Sequence, residues 1–133
     1  MFRKVPLLAY LIVVYNIITL VWGEAALGNA VVSTRLLSGG QFTLMLGDLL
    51  ILLGVIFLYI EIYKATRTST AAVLDHILST LLLIICVVEF LIVPPAGTSV
   101  YLILSLMVLL DLVAGFTVSI STARRDLAVD ERL

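Results

Sequence analysis

Five carboxylates, Asp48, Glu61, Asp75, Glu89 and Asp111, fall in or at the ends of stretches that otherwise read as membrane-spanning. No lysine or arginine lies between Arg67 and Arg124 to neutralise the last three. Burying a charge in hydrocarbon costs about 2.5 to 3.5 kcal/mol on insertion scales, so each acid must be protonated, partnered or turned to a wet interior. Asp48, Glu89 and Asp111 form the group with no basic residue near them in their own segments. If they face one cavity they share protons, as a proton or cation path requires. If they do not, the protonated acids hydrogen-bond Asn16, Thr19 or a backbone carbonyl and hold the helices in register.

A second polar group comprises Glu61, Lys64, Arg67, Asp75 and His76. Its composition predicts interfacial ion pairs, with Lys64 or Arg67 against Glu61 or Asp75 and His76 hydrogen-bonded to a carboxylate. His76 is the only histidine and Cys86 the only cysteine. One imidazole cannot ligate a haem from both sides, and one thiol makes no intrachain disulfide, CxxC pair or zinc cluster. No Ser-His-Asp or Cys-His constellation can be assembled, and Gly39-Gly40 lacks the further glycine and lysine of a phosphate-binding loop. The expectation is a chain without metal, cofactor or catalytic residues, and not an enzyme.

The elements that must position these groups follow from composition. Of the 133 residues 62% are hydrophobic and 13% charged, with a mean hydropathy of +1.24. Soluble domains carry about 25% charged residues, so a membrane domain is the natural class. No basic run exceeds Arg124-Arg125, which argues against nucleic acid as a partner. The length holds four spans of about 20 residues with short loops and no separate soluble domain. We read a single integral membrane domain over 1–133, with spans at 5–23, 41–63, 70–93 and 99–121, an outer loop at 24–40 and a tail at 122–133. The first span follows a basic start, yet its apolar run is longer than that of a signal peptide and reads as an uncleaved anchor. Ser38-Gly39-Gly40, Lys64-Ala65-Thr66-Arg67 and Pro94-Pro95-Ala96-Gly97 supply the breaks. Part of the outer loop reads as a short interfacial helix or as irregular loop, and the tail as one further turn of the fourth helix.

The fold class predicted is all-α, an antiparallel bundle of four transmembrane helices. Arg3, Lys4, Lys64, Arg67, Arg124, Arg125 and Arg132 fall on one side and only Arg35 on the other, which places both termini in the cytoplasm. Trp22, Tyr63 and Tyr101 fall at the interfaces, as an aromatic belt would. On the third span Asp75, Ser79, Leu82, Cys86 and Glu89 share one helical face, and on the fourth Met107, Asp111, Gly115 and Thr122 do. The second span has two faces, one with Gln41, Asp48, Val55 and Tyr59, the other with Gly47, Gly54 and Glu61. Gly47, Gly54 and Gly115 are therefore helix-packing candidates.

The layout of four short spans with both ends inside resembles in outline the bacterial phosphate-starvation-inducible small membrane proteins. The string from Val55 to Glu61 looks like their aromatic-acid run, and Glu89 stands where that family would place a basic residue. The resemblance implies topology and no chemistry. The function expected is that of a bacterial inner-membrane, multi-pass protein acting by helix association in the lipid bilayer, as a homo-oligomer or an accessory subunit of a larger membrane complex. The alternative is a proton- or cation-coupled channel or transporter using the intramembrane carboxylates, with a quinone- or lipid-binding subunit a third reading.

Overall fold

Runs of leucine, isoleucine and valine interrupted at the glycines and prolines named above fold into four helices. The computed structural model describes residues 5–66 and 72–132. Helix α1 (Leu7–Trp22) ends at Gly23, whose φ of 83° turns the chain into a 3₁₀ segment (Glu24–Gly28). Strands β1 (Ala30–Arg35) and β2 (Gln41–Met45) form an antiparallel hairpin that runs directly into α2 (Leu46–Ala65). Helix α3 (Ala72–Ile92) stops at Pro94-Pro95, where a short 3₁₀ turn leads into α4 (Ser99–Arg132).

The chain is mostly helical, but the hairpin corrects the all-α reading. It also moves the start of the second helix from 41 to Leu46 and replaces the predicted loop at 24–40. Valine and threonine in 30–35, alternation in 41–45 and a Ser-Gly-Gly turn between them were hairpin signals that the continuous apolar character of 41–63 concealed. Gly39, with φ of 87°, meets the turn's need for a residue free to adopt positive φ. The tail differs as well: α4 continues over 122–132 instead of fraying after a turn.

Helices α2, α3 and α4 are each long and apolar enough to cross a membrane. Helix α1, with 16 residues, spans about 24 Å at 1.5 Å per residue, short of a hydrocarbon core of about 30 Å. Helix α4 is central, with α2 and α3 on its flanks and α1 packed on α2 and α4. The core is the meeting of Leu8, Leu11, Ile12 and Tyr15 of α1 with Leu50 of α2, Cys86 of α3 and Tyr101, Leu104, Met107 and Val108 of α4.

Glycines set the closest approach. A Cβ at Gly54 would meet Met107 Sδ at 2.6 Å and Leu104 Cδ2 at 3.1 Å, and one at Gly47 would meet Val100 Cγ2 at 2.8 Å. The glycine face of α2 therefore packs on α4 of the same chain, while Val55 and Tyr59 on its other face are exposed. These contacts put the α3–α4 turn at the hairpin end of the molecule. The opposite, basic end carries Lys64 and the exposed Arg124 and Arg125.

Candidate functional site

The polar side chains of the helices converge on the seam between α3 and α4. The third-span face read from the sequence is the one turned to α4: Ser79 and Cys86 are buried, and Leu82 packs on the core. Near the hairpin end, Glu89 Oε2 accepts hydrogen bonds from Tyr101 OH at 2.7 Å and Asn16 Nδ2 at 2.9 Å, which ties α1, α3 and α4 together. Beside it Tyr15 OH donates to the Pro95 carbonyl at 2.8 Å and is hydrogen-bonded to Thr98. The Tyr15 and Tyr101 rings pack 4.9 Å apart between centroids. One turn below, the Cys86 thiol lies against the Tyr101 and Ser105 hydroxyls. Tyr101 is fully buried, so it belongs to this network and not to an interfacial belt, whereas Trp22 and Tyr63 are exposed near helix ends.

By the helical repeat the next layer of the seam places Leu82, partly buried, opposite the buried Val108, and both are apolar. Below it Asp111, only 8% exposed, lies against the Ser79 hydroxyl and within electrostatic reach of Glu61 on α2 and Asp75 on α3. Glu61 Oε1 accepts the Leu7 backbone N–H at 3.0 Å and approaches Lys64 Nζ at 3.8 Å. It thus caps the first turn of α1, where helical N–H groups lack internal acceptors. Last in the seam, His76 Nε2 is 2.9 Å from Ser119 Oγ, and its ring stacks on Phe116 at 4.5 Å. A Cβ at Gly115 would meet that ring at 2.7 Å.

The structure does not unite Asp48, Glu89 and Asp111. Asp48 is exposed at the start of α2, and its Oδ2 accepts the Met45 N–H at 3.1 Å, an ordinary use of an acid at a helix N-terminus. Tyr101 and Asp111 are ten residues apart on α4, about 15 Å of helix. Asp111 accordingly joins Glu61 and Asp75 instead of Glu89. Of the predicted polar group, Arg67 lies outside the described residues, Glu61 and Lys64 pair, and His76 bonds a serine instead of a carboxylate. Ser79 lies on the third-span face read from the sequence, whereas Tyr15, Thr98, Ser105 and Ser119 are contributors that sequence reasoning missed. Their only signal was helical spacing from the acids.

Hydroxyls elsewhere are satisfied along their own helices, as with Thr19 to Tyr15 O at 3.0 Å and Ser105 to Tyr101 O at 2.8 Å. Among the described residues no buried side-chain nitrogen or oxygen lacks a hydrogen-bond partner, and no three His, Cys, Asp or Glu side chains converge as a metal site would need. On the outward side of α3 and α4 lies an open groove of about 330 Å³, lined by Val73, His76, Ile77, Thr80, Leu81 and Phe116. No protein-family model, curated protein or solved structure matches the chain.

Proposed function

We propose that this chain is a multi-pass protein of the bacterial inner membrane that acts by helix association, as a homo-oligomer or as an accessory subunit of a membrane complex. The observation that carries the reading is the apolar groove between α3 and α4, which faces away from the chain's own core. Among the described residues, by contrast, the buried side-chain nitrogens and oxygens have partners within the chain. Lipid supplies no hydrophobic driving force between helices, so association in a bilayer draws on shaped packing surfaces of this kind. The glycines of α2 are taken by α4, so the association surface is the groove. The basic groups Lys64, Arg124 and Arg125 collect at the end opposite Arg35, which supports cytoplasmic termini.

A photo-crosslinking residue in place of Leu81, in the groove, is expected to capture another protein chain in intact membranes. The same residue in place of buried Leu50 is expected to capture none. Capture of lipid alone from position 81 would contradict the association reading.

One observation favours a second reading, in which the protein couples protons or cations across the membrane. Asp111, Glu61 and Asp75 come from three helices and face one another electrostatically. Carboxylates so placed can hold and pass a proton. The Leu82–Val108 layer separates them from Glu89, so a path would have to open there. Flux through reconstituted protein that is abolished by Asp111→Asn would establish this reading, and flux indifferent to the change would remove it.

A further inference from the structure

Among the described residues the hairpin contributes little to the packing of the helices on one another. Its packing is confined mainly to the start of α2, into which β2 runs without a linker. An isolated two-stranded hairpin is marginal in water and needs a covering surface.

Its register defines two faces. Ser33 opposes Thr43 and Arg35 opposes Gln41, with Gln41 Nε2 donating to Ser33 Oγ at 2.8 Å, so one face is polar and internally hydrogen-bonded. Val32 opposes Leu44 and Thr34 opposes Phe42, so the other face is largely apolar. Between the strands the turn offers Leu36 and Leu37, the latter 110% exposed. Between residues 25 and 47 the only charge is that of Arg35.

We propose that this hairpin is a membrane-surface element, whose apolar face and Leu36-Leu37 tip rest in the interfacial zone of the bilayer from which α2 emerges. The proposal rests on the membrane reading given above. Three features select lipid as the occupant. The hairpin begins where an apolar helix long enough to cross a bilayer begins, so its base is held at the bilayer boundary. Its single charge is a guanidinium, which suits phosphate headgroups. Trp22, exposed at the end of α1, is a residue type that favours the same zone. The outer edges of both strands carry unpaired N–H and C=O groups that require water, so the hairpin stays at headgroup level and does not enter the hydrocarbon.

The test uses the full chain with Trp22→Phe, reconstituted in vesicles of phosphatidylcholine and phosphatidylglycerol. A single tryptophan is introduced by Leu37→Trp, Phe42→Trp, Thr43→Trp or Val55→Trp. Lipids brominated near the headgroup are expected to quench the tryptophans at 37 and 42 more than lipids brominated near the chain ends. Aqueous iodide is expected to quench the one at 43. Val55→Trp, on the outward face of α2, reports insertion itself and is quenched by deeply brominated lipid. Tryptophans at 37 and 42 quenched by iodide and not by lipid, with the α2 reporter still quenched by lipid, would overturn the proposal and leave membrane insertion standing. Shielding at 37 and 42 from both quenchers would overturn it in favour of a protein cover. Loss of lipid quenching at all four positions would overturn the membrane reading and the proposal together.

Discussion

The two ends of the α3–α4 seam hold their acids in opposite ways. At the hairpin end Glu89 is met by two neutral donors, Tyr101 and Asn16, from two different helices. At the basic end Asp111 lies near the Ser79 hydroxyl and within electrostatic reach of Glu61 and Asp75. The first arrangement is a lock: its hydrogen bonds stabilise the bundle only in one register. The second brings acids of like charge within reach of one another, although Glu61 there also caps α1 and pairs with Lys64. Acids of the same type, in helices of the same composition, thus differ by their neighbours alone.

The largest effect that would break this contrast is expected from Tyr101→Ala. It removes a fully buried ring together with the Glu89 bond, and a loss of about 3 to 5 kcal/mol is expected in denaturant titration of the detergent-solubilised protein. A loss below that of ordinary surface changes would show that the hairpin end is not the lock. At the basic end Gly115→Ala drives a methyl into the His76 ring, costing about 1 to 3 kcal/mol. The cost should shrink markedly in a His76→Ala background, and an unchanged cost would place the strain elsewhere.

Smaller effects sharpen the comparison. A double-mutant cycle of Glu89→Gln with Tyr101→Phe should give a coupling of about 0.6 to 1.7 kcal/mol, the range of interhelical hydrogen bonds in membranes. Zero coupling would mean that the pair contributes proximity without stability. Asp111→Asn should change stability by no more than about 0.5 kcal/mol, and in the stabilising direction, since the repulsion from Glu61 and Asp75 is relieved. A clear destabilisation would make Asp111 a lock like Glu89.

Much of this arrangement was legible in the chain. The face of α3 that carries Ser79, Cys86 and Glu89 is set by the 3.6-residue repeat, and the small residues of α2 mark a close contact whatever helix fills it. Periodicity does not say which helix that is, so the glycine face read equally well as a surface for a second copy. The neighbours of Asp111 depend on how α2 and α3 slide against α4, which no single-helix pattern records. Tyr101 reads as an interfacial residue from its place near the start of the fourth span. Burial follows instead from α1 crossing over it through Tyr15. The hairpin escaped because residues 41–45 continue the apolar run of α2 without a break in hydropathy, and only their alternation distinguishes strand from helix.

The mass of the particle extracted in native lipid discs, with its co-purifying proteins identified, tests the association reading most directly. The account predicts a particle larger than one chain of 14.5 kDa, containing further copies or other membrane subunits, which Ile77→Trp reduces by filling the groove. A single chain in lipid, unchanged in size by Ile77→Trp, would contradict it.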